Sequence, residues 1–245
     1  MVYKTVVIPR DDPSSLVVFI HGLGGTPQRD YWGRVPDFLK YDTKCRDIEI
    51  IFWPYGSHKW PKLANWNFLH RLNATVRAEN ALNAISSLLV SDIQARASQK
   101  QYRRVRIFGH SLGGIIALRA ARLLEEFGVS INMDRLAVNA TPSTVVPAAK
   151  IAAFFNFGTN DYVTLLSQPS LIHPVFDNDL MHIRKTRQPT IHTTYFHSHG
   201  DEVVAFKRQC EFDQEITIRG AHTWMREIDR PQDLNYTKLL TWMTS

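Results

Sequence analysis

The stretch VRIFGHSLGG, residues 105–114, joins a strand-like run to the start of an amphipathic helical pattern, with Ser111 at the junction. A sharp strand-to-helix turn forces its central residue into strained backbone angles. It also brings the residues two places to either side too close to their surroundings for a β-carbon. Gly109 and Gly113 occupy those two places, and Gly114 lets the helix approach the sheet. Such a turn projects the Ser111 hydroxyl out of the sheet. It also leaves the Leu112 N–H at a helix N-terminus, where partial positive charge accumulates.

Working outward, the same strand-then-turn pattern recurs. LVVFI (16–20) runs into HGLGG, DIEIIFWP (47–54) ends at proline and glycine, and RLAVN (135–139) follows the elbow helix. Continuous apolar runs of this length predict strands buried on both faces. Between them, residues 73–96 and 112–128 place apolar side chains at three- and four-residue intervals, which predicts helices. The pattern continues with TTYFHSHGDEVV (193–204), EITIRGAHTW (215–224) and a final helical segment over 231–243. Strands alternating with helices predict an α/β fold, a mostly parallel central sheet with helices on both faces. No linker divides the 245 residues, so one domain over 1–245 is expected. Residues 142–190 contain SQPSLIHPVFDNDLMHIRK, read as an irregular insertion that forms a lid or a long surface excursion.

GHSLGG resembles the nucleophile elbow of the α/β-hydrolase superfamily, in the G-x-S-x-G form of its serine esterases and lipases. The resemblance extends to the opening HGLGG…W…P…L and implies an α/β-hydrolase fold and a Ser-His-Asp triad in the chain order serine, acid, histidine. It nominates Asp201, in GDEVV after a strand, as the acid and His222, in RGAH after the last strand, as the base. Asp161, in GTND, is the competing acid; the VV that follows Asp201 and Glu202 favours Asp201. HGLGG (21–25) resembles the family's oxyanion loop, whose implied backbone donors are the N–H groups of Leu23 and Leu112, with His21 and Gly22 shaping the loop. A nucleotide cradle is disfavoured, because G-x-G-x-x-G spacing and G-K-[ST] are both absent. The implied activity is cleavage of a carboxylic ester, from a small molecule or a lipid, through an acyl-serine intermediate. Trp53, Phe154, Phe155 and Phe176 are candidates for an acyl pocket, with core packing as the competing fate.

Two other functions compete. HSHGDE (197–202) has the histidine and aspartate alternation of a metallo-hydrolase loop, but its sixth residue is Glu202 and it leaves GHSLGG unexplained. A non-catalytic binding module on the same fold is the other. No cofactor and no metal are expected. Basic residues exceed acidic ones by 29 − 23 = 6, yet they are dispersed, which argues against a nucleic-acid partner and leaves weak attraction to anionic membrane surfaces as a secondary reading. Two cysteines make no disulfide framework or metal spacing. The first residues show no signal-peptide pattern and no segment has transmembrane length, so a cytoplasmic location is expected.

Overall fold

The apolar runs are continuous because they form a sheet covered on both faces. The computed structural model describes residues 4–55, 69–127, 131–142, 166, 174–186, 191–204 and 212–245. Among these, seven strands form one sheet: β1 (Val6–Ile8), β2 (Ser15–Ile20), β3 (Ile48–Trp53), β4 (Arg104–His110), β5 (Met133–Asn139), β6 (His192–His197) and β7 (Gln214–Thr217). Their order is β1-β3-β2-β4-β5-β6-β7, parallel throughout except for β1, which pairs antiparallel with β3. This is the mostly parallel α/β sheet that the sequence implied.

Helices α1 (Arg29–Trp32) and α2 (Val35–Tyr41) lie between β2 and β3, and α3 (Leu69–Gln99) lies between β3 and β4. After β4 comes α4 (Leu112–Glu126), α5 (Leu180–Thr186) precedes β6, and α6 (Leu234–Thr244) ends the chain. Period-two alternation sorts each strand between two cores. Leu16, Val18 and Ile20 pack with α3, α4 and α5 on one face. Val17 and Phe19 pack with α1, α2 and α6 on the other. On that second face Phe19 is fully buried, stacked on Phe52 at 4.9 Å and edge-on to Trp32 at 5.5 Å. Complete burial of such a side chain contributes about 1.5–3 kcal/mol. Arg106 of β4, also buried, pairs with Asp134 at 2.9 Å and donates to the Met243 carbonyl, which ties α6 to the sheet.

From β2 the chain proceeds to one side, to β3, and from β4 to the other, to β5. The carboxyl ends of β2 and β4 therefore flank a topological switch point, the place where α/β sheets open a crevice for ligands. HGLGG follows β2 there, and Ser111 follows β4.

Two local readings change. The three-residue β1 was not anticipated, nor were α1 and α2. Most of 142–190 lies outside the described residues, but Pro174–Thr186, expected to be irregular, is helical: one π-helical turn (Pro174–Asp179) continues into α5. Tertiary contacts account for this. Asp179 is fully buried between Arg119 at 2.7 Å and Arg122 at 2.9 Å on α4, and Leu180 and Ile183 enter the core beside it. Among the described residues no helix is long and apolar enough to cross a membrane.

Candidate active site

Ser111 has φ +54 and ψ −123, a left-handed conformation that a side-chain-bearing residue adopts at a cost of about 1–3 kcal/mol. The surrounding structure enforces it. The Ser111 N–H donates to the Asn139 carbonyl at 2.8 Å, which fixes the end of β4 against β5. A β-carbon on Gly113 would collide with the carbonyls of Ile20 and His21 at the end of β2, and one on Gly109 with the backbone of Gly113 and Gly114. The glycines around the serine are thus where backbone meets backbone. As the first residue of α4, Leu112 has an N–H with no acceptor inside its own helix, because the first turn's donors have none.

The HGLGG loop packs directly on the elbow. A β-carbon on Gly22 would lie 2.7 Å from the Ser111 β-carbon. Gly25 N–H donates to the Gly22 carbonyl at 3.0 Å, closing a turn with Leu23 and Gly24 at its centre; Gly24 has φ +72 at the position where such turns favour glycine. The Gly22 N–H donates to the Tyr31 hydroxyl at 2.7 Å. Leu23 is buried. His21 stacks on Tyr55 at 4.2 Å and donates from Nδ1 to the Gly22 carbonyl at 2.9 Å.

Asp201 follows β6 and His222 follows β7, and the structure brings them together: His222 Nδ1 lies 2.9 Å from Oδ2 and 3.1 Å from Oδ1 of Asp201. Both side chains are buried. The carboxylate also accepts from the N–H groups of Val203 at 2.9 Å and Val204 at 2.8 Å. Burial alone would raise the Asp201 pKa. The hydrogen bond and charge of His222 and the two backbone donors outweigh it and hold the carboxyl below its ordinary value. Two further contacts join the loop after β6 to the loop after β7. Ser198 Oγ donates to the Gly220 carbonyl at 2.5 Å, and the His222 N–H donates to Glu202 at 3.3 Å.

His222 reaches the elbow through its neighbour. His110, immediately before Ser111, donates from Nε2 to the His222 carbonyl at 2.8 Å, and the two imidazoles are 4.9 Å apart. Tyr31, His110, Ser198 and Glu202 were not singled out as site residues from the sequence. His110 carried a signal in its place inside the elbow motif, and Ser198 and Glu202 in theirs inside HSHGDE.

Other candidates fall elsewhere. Trp53 belongs to the core, near Tyr55. Asp161, Phe154, Phe155 and the side chain of Phe176 lie outside the described residues. In HSHGDE, His197 packs edge-on to His199, and its Nε2 is 3.3 Å from the Thr217 hydroxyl, while Asp201 engages His222. Among the described residues no group of three or more histidine, cysteine, aspartate or glutamate side chains is arranged to hold a metal ion.

Comparison with known proteins bears on the fold and the family. The family model described as the alpha/beta hydrolase family matches residues 17–235. No curated protein sequence matches the chain. Among solved structures, the Bacillus licheniformis lipase BlEst2 is similar at 14% identity and a TM-score of 0.60, over 97% of this chain and 98% of that one. The Paleococcus ferrophilus monoacylglycerol lipase is similar at 15% identity and a TM-score of 0.53, over 100% and 99%. YbtT, a type II thioesterase from the yersiniabactin NRPS/PKS biosynthetic pathway, is similar at 15% identity and a TM-score of 0.50, over 98% and 95%. At these identities the likeness is one of fold.

Proposed function

This chain belongs to the alpha/beta hydrolase family, and from that membership we propose that it is a serine hydrolase cleaving carboxylic esters of small molecules or lipids through an acyl-serine intermediate. The observation that carries this is the bidentate contact of Asp201 with His222, on a loop tied to the residue next to a serine at φ +54. A serine hydroxyl is a weak nucleophile until a base takes its proton, and an imidazole fixed by a carboxylate is such a base.

In the proposed reaction, His222 Nε2 accepts the Ser111 proton as Oγ bonds to the ester carbonyl carbon. The carbonyl oxygen becomes an oxyanion, which the N–H groups of Leu23 and Leu112 stabilise. Asp201, ionised well into the acid range, holds the imidazole orientation and offsets the charge of its protonated form. Collapse of the intermediate breaks the bond to the alcohol, which leaves with the proton from His222. Water then attacks the acyl-serine with His222 again as base, and the acid is released.

Ser111→Ala tests the proposal on a panel of p-nitrophenyl esters of graded chain length. The expected loss in kcat is about a million-fold, together with loss of labelling by a fluorophosphonate probe. Retention of most activity by the variant would refute it, and activity that disappears with a chelator and returns with zinc would favour the metal-dependent alternative.

A further inference from the structure

A second hydrogen-bonded chain crosses the site. It runs from the Gly22 N–H to the Tyr31 hydroxyl, from Tyr31 to His110 Nδ1, and from His110 Nε2 to the His222 carbonyl. Its direction is determined from one end. A carbonyl can only accept, so His110 Nε2 carries hydrogen. Burial, and after it the neighbouring His222, push the His110 pKa down to about 3, so the ring is neutral and Nδ1 must accept. The Tyr31 hydroxyl therefore gives its only hydrogen to Nδ1, and its oxygen receives the Gly22 N–H. Each donor has one acceptor, and all of these groups are buried.

The four participants come from separate places: the loop after β2, helix α1, the end of β4 and the loop after β7. The Tyr31 hydroxyl stands 2.6 Å from where a Gly22 β-carbon would be, so it sets the position of the HGLGG loop on the elbow. By engaging the Gly22 N–H, it also leaves the oxyanion to the following N–H, that of Leu23.

Given the serine-hydrolase mechanism proposed above, we propose that Tyr31 and His110 are positioning residues, which hold the oxyanion loop and the His222 loop in register with Ser111 through this hydrogen-bonded bridge. Neither touches the reacting atoms. Their effect is on transition-state geometry, where small misplacements are costly, and not on ground-state binding of a small ester.

Tyr31→Phe removes one oxygen and keeps the ring. With p-nitrophenyl acetate, kcat is expected to fall about 10- to 100-fold, with KM changed by less than about twofold. His110→Leu should have the same effect, and the double variant should be little worse than either single one, because both break one chain. His110→Gln, which has both an amide donor for the His222 carbonyl and an acceptor for Tyr31, should recover most of the loss. Circular dichroism and melting temperature are measured alongside. A merely structural role would lower the melting temperature and leave kcat unchanged in the folded variant. A kcat within about twofold of the parent for Tyr31→Phe, or full additivity in the double variant, overturns the proposal. Should Tyr31→Phe not fold, His110→Gln against His110→Leu decides it: equal kcat values in the two overturn it. Ser111→Ala is run in parallel. Activity in that variant refutes the serine-hydrolase reading itself, whereas an inactive Ser111→Ala beside a fully active Tyr31→Phe refutes the bridge alone.

Discussion

His222 Nδ1 and the Asp201 carboxylate meet at 2.9 and 3.1 Å, one at the end of each of two neighbouring strands, and the carboxylate is held from behind by two backbone N–H groups. An acid so constrained can orient the imidazole only while it accepts from Nδ1–H. Asp201→Asn preserves the shape but presents an amide, which favours the wrong imidazole tautomer. A loss in kcat of about ten-thousand-fold is expected. Steady-state kinetics on p-nitrophenyl butyrate checks it, with Asp161→Asn as the comparison. A larger loss at Asp161 would transfer the acid's role to that residue.

The neighbourhood of Ser111 was legible because its constraint is local: Gly109 and Gly113 are glycine where backbone meets backbone, and the runs at 16–20, 48–53 and 105–108 are continuous because two cores cover them. The contact between Asp201 and His222 was implied by the family resemblance of GDEVV and RGAH, each placed after a strand. β1 was not, since Val6–Ile8 is three residues long and pairs at an edge. The four residues of α1 are too few to show a period. The bridge through Tyr31 and His110 links residues separated by 79 and 112 positions, and no spacing rule connects a tyrosine in one helical turn to a carbonyl in a late loop. The order over Pro174–Thr186 depends on Asp179 meeting two arginines of α4, which a local reading of prolines and aromatics does not reveal.

Gly113→Ala should be among the most damaging single-methyl additions. The new β-carbon meets backbone oxygen of Ile20 and His21, which cannot turn aside as a flexible side chain would. The elbow helix must lift from β2. A destabilisation of about 3 kcal/mol or an insoluble product is expected, and urea unfolding checks it. An alanine variant with an unchanged midpoint would show that the elbow is looser than this geometry.

Asp179→Ala tests the anchor of α5. Arg119 and Arg122 both donate to this buried carboxylate, and removing it takes an anionic partner from each, leaving Arg119 with Asn83 and Arg122 with Glu126. Breaking a buried ion pair from one side costs about 3–5 kcal/mol. Arg122 is about a third exposed, so part of that cost is relieved by water and the low end is expected. A loss below about 1 kcal/mol in urea unfolding would mean that apolar contacts of Leu180 and Ile183 alone hold the segment.

His110 should also shape the pH dependence of stability. Burial first, then the neighbouring His222 and Arg226, lower its pKa from 6.5 to about 3, against the opposing effects of its hydrogen bond to the His222 carbonyl and of Asp201. The unfolded chain takes up a proton near pH 6.5, whereas the folded one excludes it until about pH 3. The group's contribution is therefore complete above about 6.5 and declines as the pH falls through that window, by about 1.4 kcal/mol per pH unit for one proton. His197 is shifted the same way, and carboxylates titrate lower, so the interval from pH 6.5 to 5 isolates the histidines. Unfolding free energies at pH 7, 6 and 5 should show a shallower slope for His110→Gln than for the parent, by close to one proton, whatever the variant's absolute stability. Parallel slopes would mean that the imidazole is protonated in the folded protein, and the hydrogen-bond direction assigned to the Tyr31 bridge would then be wrong.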